Sequence, residues 1–175
     1  MILVTVGTEK FPFNRLMRWV ELLLEDDLIG DEEVVVQYGT CTLLPEGTKV
    51  YRLLKEHDFQ ALVRRARLVI AHCGEGTVLL LDGMDTPFLL VPRSQRYQEH
   101  VDDHQVELAH ALASIGVPIA WGPADLVRFV AAPTKVSIGD LSVAAAQAVC
   151  RRLDLLFPDA AEPSADSTSV LPLLR

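Results

Sequence analysis

The residue types best suited to binding an anion or a sugar are concentrated between residues 68 and 108. The sequence HCGEGT at residues 72–77 follows an apolar run at 68–71 and precedes an apolar segment with helical character. A strand, a glycine turn and a helix in that order present free backbone N–H groups to an anion, because glycine lets a phosphate approach the backbone. The pattern therefore predicts a phosphate-binding loop at residues 74–77, with a plain tight turn as the structural alternative.

A second polar segment follows the next apolar run along the chain. Residues 87–91 are typical of a buried strand, and they are followed by Arg93, Arg96 and the sequence EHVDDHQ at 99–105. Because the carboxyl ends of neighbouring parallel strands meet at one edge of an open sheet, both polar loops are expected at the edge where such sheets bind ligands. The two arginines can neutralise a bound anion there or remain surface charges.

Several side chains in these loops have both a functional and a structural interpretation. His72 ends its strand, where it can donate a hydrogen bond to a phosphate oxygen or serve the fold alone. Thr77 can add a hydroxyl donor or cap the helix, and Glu75 can bind sugar hydroxyls or stay solvated. Asp102 and Asp103 can be helix caps and no more.

The spacing of His100 and His104 also permits a metal interpretation. A His-x3-His pair can place two imidazoles on one helical face, and Asp103 lies between them in the sequence. The segment before Asp102 is expected to be a loop, and a third ligand is not evident. We therefore expect no tightly bound metal.

The pattern of apolar residues predicts alternating strands and helices joined by short links. Strands are expected at 2–6, 34–36, 49–53, 68–71, 87–91 and 117–120, and helices from 13, 58, 102 or 103, and 140. Residues 121–139 give no clear pattern. This alternation predicts one α/β Rossmann-like domain, a parallel sheet with helices on both faces, over residues 1–157. From residue 158 the composition shifts to Pro, Ser, Ala and Asp, which predicts a loose tail over 158–175.

Composition limits the classes of function. The net charge of −8 and the pI near 5.0 argue against nucleic-acid binding as the main activity. Cys41, Cys73 and Cys150 are widely spaced and form no CxxC pair, which favours reduced thiols over a disulfide framework. The apolar start MILVTVG is interpreted as a strand rather than a signal peptide, and no apolar run approaches the ~20 residues of a membrane span. These features favour a cytoplasmic protein whose membrane association requires a partner.

Several of these motifs together resemble the donor-binding signature of GT-B glycosyltransferases. They are HCG-x-GT at 72–77, Pro87, the Val-Pro pair at 91–92 and the His-Gln pair at 104–105. The closest resemblance is to the family 28 C-terminal domain. The opening VTVGT at 4–8 with FNRL at 13–16 is similar to the catalytic subunits of two-subunit exopolysaccharide glycosyltransferases and of the dolichol-linked N-acetylglucosaminyltransferase. The resemblance covers roughly residues 1–120.

The resemblance implies a fold, an activity and a set of site residues. It implies half of a GT-B fold and an inverting transfer of a sugar from a UDP-sugar to a lipid-linked acceptor, without a bound metal. A membrane-anchored partner subunit would carry the acceptor site. His72 would be the catalytic group on the phosphate, and His104 and Gln105 would contact the donor sugar. The remaining donor-binding positions would be Gly7, Thr8, Gly74, Glu75, Gly76, Thr77 and Arg93.

One departure from the family pattern concerns the ribose. Family members commonly carry a glutamate three residues after the threonine of the loop, and this sequence has Leu80 there. Glu75 or Asp82 can substitute for it. The general base is not identified by the resemblance, although Glu9 would face the cleft between domains.

Two other functions and one other assembly fit the same residues. A sugar-nucleotide epimerase shares the GT-B architecture, and a non-catalytic nucleotide-sugar-binding partner of another transferase would keep the phosphate loop. A homodimer would cover surfaces similar to those that a partner subunit would cover.

Overall fold

The computed structural model of the protein describes residues 1–139. The predicted helix over residues 140–156, the boundary at residue 157, the tail and Cys150 lie outside the described residues.

The described chain is built on one sheet of five parallel strands. The strands are β1 (Ile2–Thr5), β2 (Val34–Gln37), β3 (Lys49–Tyr51), β4 (Leu68–His72) and β5 (Phe88–Val91), in the spatial order β3-β2-β1-β4-β5. Four of the five are buried along their whole length, as expected for parallel strands that are covered on both faces. The predicted α/β class and the neighbouring position of β4 and β5 are confirmed.

Five α-helices cover the two faces of this sheet. They are α1 (Asn14–Glu25), α2 (Glu56–Arg65), α3 (Glu75–Asp82), α4 (His104–Ser114) and α5 (Pro123–Ala131). Alternate residues of β1 separate the two layers, since Ile2 and Val4 pack with α1 and α5, whereas Leu3 packs with α2, α3 and α4. The prediction of helices on both faces of a single Rossmann-like sheet is therefore confirmed.

The prediction of a sixth strand at residues 117–120 is wrong. This segment makes one isolated bridge, between Leu90 and Ile119. Pro118 has no N–H to donate, and the turn at Gly122 then starts α5, so the ladder ends after one bridge. The signals for α5 were present in the sequence, because Pro123 occupies the first helical position and Asp125 accepts the N–H of Gly122 at 2.9 Å.

The strand order creates a switch point between β1 and β4. The chain adds β2 and β3 on one side of β1, and then crosses to place β4 and β5 on the other side. Open α/β sheets bind ligands at the carboxyl edge of such a switch point. The two segments that leave this edge there are the turn at Gly7 and the loop at residues 73–77.

None of the helices within residues 1–139 is long and apolar enough to cross a membrane.

Candidate functional site

The imidazole of His72 is enclosed by two glycine backbones at the switch point. A Cβ at Gly7 would lie 2.4 Å from His72 Nε2, and a Cβ at Gly74 would lie 2.5 Å from the same atom. Gly7 also has φ +75°, a conformation that side chains rarely adopt. Any larger residue at either position would displace the ring, so both glycines are needed for this packing.

Gln37 fixes the turn at Gly7. Its Oε1 accepts the Gly7 N–H at 3.1 Å and the Thr5 hydroxyl at 2.6 Å. Its Nε2 donates to the carbonyls of Gly7 at 2.9 Å and Arg52 at 3.0 Å. Sequence reasoning did not select Gln37, although a polar residue that ends a buried strand marks such a position. It connects the ends of β1 and β2 at the edge where the site lies.

The environment of His72 keeps the ring neutral. Burial, and secondarily the positive charge of Arg93, lower the pKa of His72 to about 3, although the Thr5 backbone acts in the opposite direction. Its Nδ1 is buried without a hydrogen-bond partner. A neutral imidazole can donate one N–H bond to an anion, but it supplies no positive charge.

The N-terminus of α3 presents free backbone donors. Gly74 is the N-cap, and no side chain within residues 1–139 caps the helix there. Glu75 and Gly76 are exposed, and a Cβ at Gly76 would meet no atom within 4 Å. Thr77 lies inside the first turn and does not cap it. Since the first-turn N–H groups carry the positive end of the helix dipole, this loop has the geometry of an anion site.

Two cavities, each of about 230 Å³, flank this helix end. The first lies on the β1 and α2 side, and its lining includes Gly7, Thr8, Gln37, Leu53, Leu54, Glu56, Phe59, Gly76, Thr77 and Leu80. The second lies on the α4 side and is lined by Cys73, Gly74, Glu75, His100, His104, Gln105 and Leu108. The structure thus brings the loop at 74–77 together with Gly7 and Thr8 on one side and with His104 and Gln105 on the other.

The cavities separate the candidate replacements for the missing family glutamate. Leu80 lines the first cavity, whereas Glu75 lines the second. Asp82 lies at the opposite end of α3, where its carboxylate accepts the N–H of Ile138. Glu56, at the start of α2, is the one carboxylate among the described lining residues of the first cavity. Sequence reasoning missed it, because a glutamate in a first helical turn is common without any ligand.

The structure places Arg93 inside the protein rather than on a cavity wall. Its side chain is 0% exposed, and its guanidinium donates to the carbonyls of Val6 at 2.7 Å, Phe11 at 2.8 Å and Glu99 at 3.0 Å. The guanidinium also lies 4.7 Å from the centre of the Phe13 ring. Arg93 therefore joins the turn after β1 to the loop after β5. It can act on an anion through its field but not by the direct contact that the sequence predicted, and Arg96 is exposed over Tyr97.

Gln105 and His104 both reach the second cavity. Gln105 Oε1 accepts the Arg93 backbone N–H at 3.2 Å, and no residue of the described chain bonds its amide nitrogen. The Gln105 side chain therefore has donors left for a ligand. His104 begins α4, with its backbone N–H donated to Asp102 at 3.2 Å and its ring largely exposed.

The other candidates have local partners. Asp103 accepts bonds from the Ser94 hydroxyl and the Gln95 N–H, both at 2.9 Å, and His100 pairs with Asp102. Within residues 1–139 no group of three or more His, Cys, Asp or Glu is arranged to hold a metal ion. The Glu9 carboxylate accepts the neighbouring Lys10 N–H, and Glu9 lines neither cavity.

Cys41 and Cys73 are buried free thiols. Burial raises the pKa of both, that of Cys73 to about 12. Both cysteines are therefore protonated and unreactive at neutral pH.

Comparison with known proteins follows the same outline as the fold. The model of the glycosyltransferase family 28 C-terminal domain matches residues 1–130. The UDP-N-acetylglucosamine transferase subunit ALG13 of Cryptococcus neoformans var. neoformans serotype D, in two strains, is 28% identical over 71% of this chain and 78% of that protein.

Two solved structures share the fold at low sequence identity. The glycosyltransferase of kitacinnamycin has a TM-score of 0.51 and 16% identity, covering 75% of this chain and 34% of that one. CalG4, the calicheamicin glycosyltransferase, has a TM-score of 0.51 and 17% identity, covering 93% of this chain and 40% of that one. The chain thus spans about a third to two fifths of the solved proteins that it matches.

Proposed function

The chain belongs to the glycosyltransferase family 28 C-terminal domain family, and on that premise we propose that it is the catalytic, donor-binding part of an inverting UDP-sugar glycosyltransferase. The observation that carries this proposal is the uncapped N-terminus of α3 at the switch point, with His72 held between Gly7 and Gly74 and a cavity on either side. An extended ligand with a central diphosphate matches that arrangement.

The two cavities differ in a way that orients this ligand. Leu53, Leu54 and Phe59 give the first cavity an apolar wall that suits a flat base, and Glu56 can accept bonds from ribose hydroxyls. The second cavity offers the free amide donors of Gln105 and the ring of His104, which suit sugar hydroxyls. In this placement the diphosphate lies at residues 74–77, the nucleoside lies towards α2 and the sugar lies towards α4.

Charge develops on the diphosphate as the bond from the anomeric carbon to the phosphate oxygen breaks. The electron pair of that bond stays on the leaving group, where the first-turn N–H groups and the positive end of α3 stabilise it. His72 adds one hydrogen bond from a neutral ring. The buried guanidinium of Arg93 adds a positive field from below, without contact.

The acceptor and the assembly follow from the family and from the fungal relative. That relative is named a transferase subunit, which supports a two-component enzyme. We propose that a membrane-anchored partner carries the acceptor domain, that the acceptor is lipid-linked, and that the complex acts in exopolysaccharide or glycan biosynthesis. The catalytic chain would then be cytoplasmic and held peripherally at the membrane by this partner.

Calorimetric titration with UDP tests the placement of the donor. Gly74→Val puts a side chain where the His72 ring and a phosphate both need space, and the loss of two charge-assisted hydrogen bonds should weaken binding by about 10²-fold. Leu28→Val, an exposed aliphatic change remote from both cavities, is the matched control. Equal affinity of wild type and Gly74→Val for UDP would show that the diphosphate binds elsewhere.

A further inference from the structure

A histidine–carboxylate pair stands at the second cavity. His100 Nδ1 lies 2.7 Å from Asp102 Oδ1, and His100 lines the cavity with Gly74, Glu75 and Gln105. An ionised carboxylate can only accept, so this contact places the proton of the neutral ring on Nδ1. The Nε2 atom then carries a lone pair, and it has no hydrogen-bond partner within the described part of the chain.

The carboxylate of this pair is held in its ionised form. Asp102 accepts the His104 backbone N–H at 3.2 Å as well as the His100 ring. The first of these bonds, and secondarily that of His100, lower the pKa of Asp102. Asp102 is thus fixed at the start of α4, where it orients the His100 ring and stabilises its protonated form.

The charged and titratable groups around His100 come from three elements. Asp102 and His104 belong to the start of α4, Glu75 lines the same cavity from α3, and His72 approaches from the end of β4. His72 is buried and neutral, whereas the His100 side chain is 17% exposed. His100 is therefore the ring at this cavity with both an orienting carboxylate and solvent access for a proton.

We propose that His100 is the general base of the transfer reaction and that Asp102 is its positioning residue. This inference rests on the proposed function. The acceptor hydroxyl gives its proton to His100 Nε2 while its oxygen bonds to the anomeric carbon. The bond from that carbon to the phosphate oxygen breaks, and its electron pair leaves with the diphosphate. The imidazolium, stabilised by Asp102, then returns its proton to water.

The geometry selects this cavity because it adjoins the phosphate loop directly. Gly74 and Glu75 belong both to the cavity wall and to the loop that would hold the diphosphate. A sugar attached to that diphosphate and entering the second cavity brings its anomeric carbon to the side on which His100 lies. Glu9, the carboxylate considered from sequence for the same role, lines neither cavity.

The test compares His100→Gln and Asp102→Asn in the full chain. UDP-N-acetylglucosamine, UDP-glucose and UDP-galactose serve as donors with water as the acceptor, and the release of UDP is measured. His100→Gln should lower kcat by about 10²–10³-fold and remove the rise of kcat with pH, because general-base catalysis commonly contributes 10²–10⁴-fold. Asp102→Asn should lower kcat by about tenfold or more, while both variants keep the wild-type Kd for UDP.

The His57–Asp58 pair supplies the matched control. His57 Nε2 lies 3.1 Å from Asp58 Oδ1 on the exposed surface of α2, so His57→Gln changes the same chemistry away from the second cavity and should leave turnover unchanged. NMR of the ring nitrogens gives a readout independent of turnover. His100 should carry its proton on Nδ1 in wild type and lose this preference in Asp102→Asn.

The outcomes separate this inference from the proposed function. If wild type binds UDP and turns over a donor while His100→Gln matches its kcat, the base is elsewhere although the proposed function holds. An Nε2-protonated His100 in wild type would also overturn the inference. If wild type neither binds UDP nor releases it from any of the donors, the proposed function fails and the inference fails with it.

Discussion

The loops that follow β4 and β5 lie side by side at the carboxyl edge of the sheet and use their polar groups in opposite ways. After β5, the Arg93 guanidinium binds three carbonyls, and Glu99 accepts two bonds from Arg15 at 2.8–2.9 Å. After β4, the N-terminus of α3 has no side-chain cap. The loop with the most charged residues is thus committed to the fold, and the loop with the most glycine keeps its donors for a ligand.

This contrast follows from the free energy of buried polar groups. A buried cation needs several hydrogen bonds to offset its desolvation, so its contacts belong to the protein before any ligand arrives. Backbone N–H groups at an exposed helix end are solvated, so a ligand can replace their water at little cost. An arginine next to a candidate phosphate loop is therefore weaker evidence for binding than an uncapped glycine turn.

The largest expected effect concerns the loop after β5. Arg93→Met leaves the carbonyls of Val6, Phe11 and Glu99 without a donor, and should lower the free energy of unfolding by about 3–5 kcal/mol. Arg93→Lys keeps the charge with fewer donors in range and should lose less. Urea denaturation measures both. The exposed Arg96→Met is the control, with a change within about 0.5 kcal/mol.

This comparison would break if Arg93 bound the ligand directly. Folded Arg93→Lys should keep UDP affinity to within about tenfold, because a distant field acts more weakly than a contact. A loss of UDP binding as large as that of Gly74→Val, with little loss of stability, would move Arg93 from the scaffold to the site.

The second effect concerns His72 and pH. The unfolded ring binds a proton below pH 6.5, whereas the folded ring stays neutral down to about pH 3. The contribution of His72 to stability is therefore complete above pH 6.5 and is lost as the pH falls, with a slope of about 1.4 kcal/mol per pH unit. The free energy of unfolding of His72→Asn, measured from pH 6.5 to 4.5, should lack this slope. His57→Asn should retain it.

The third effect tests the division between the two cavities. If Glu56 binds ribose hydroxyls, wild type should bind UDP roughly tenfold more tightly than 2′-deoxy-UDP, and Glu56→Gln should reduce this preference. Glu75→Gln, on the other cavity, should leave the preference unchanged. Competition calorimetry measures the ratio. The same ratio in wild type and Glu56→Gln would show that ribose is held by other groups.

The smallest effect distinguishes the two glycines of the phosphate loop. A Cβ at Gly76 meets no neighbour, so Gly76→Ala should raise the free energy of unfolding by up to about 1 kcal/mol through helix propensity. Gly74→Ala should lower it, because its Cβ would lie 2.5 Å from His72 Nε2. Thermal denaturation of the pair measures the difference. Stabilisation by Gly74→Ala would show that the ring is free to move.

Sequence patterns predicted the parts of this fold that depend on local periodicity. The five strands and the helices after residues 13, 58, 74 and 103 follow from apolar spacing and turn residues, with boundaries within a few residues. The bridge at Ile119 was taken for a strand because Val117, Ile119 and Ala120 have the composition of one. Its single bridge depends on Pro118 and on how soon α5 begins, which apolar spacing does not encode.

The candidate site was predictable where one motif contains it and not where distant segments meet. The loop at residues 74–77 is contiguous, so the sequence identified it. The cooperation of Gly7 with Gly74 around His72 depends on the pairing of β1 with β4, and the role of Gln37 depends on the end of β2. Arg93 was misplaced because its burial is set by the carbonyls of Val6 and Phe11, more than 80 residues away in the chain.

The three carbonyls on Arg93 also have a consequence for native-state fluctuations. They belong to the turn after β1, the start of the segment before α1 and the loop after β5, and all three converge on one buried guanidinium. Opening any one of these segments leaves the same cation short of an acceptor, so the three are expected to open together. In native-state hydrogen exchange, residues around 6–11 and 92–99 should share one opening free energy, while the amides at 75–77 exchange on their own and slow down when an anion binds.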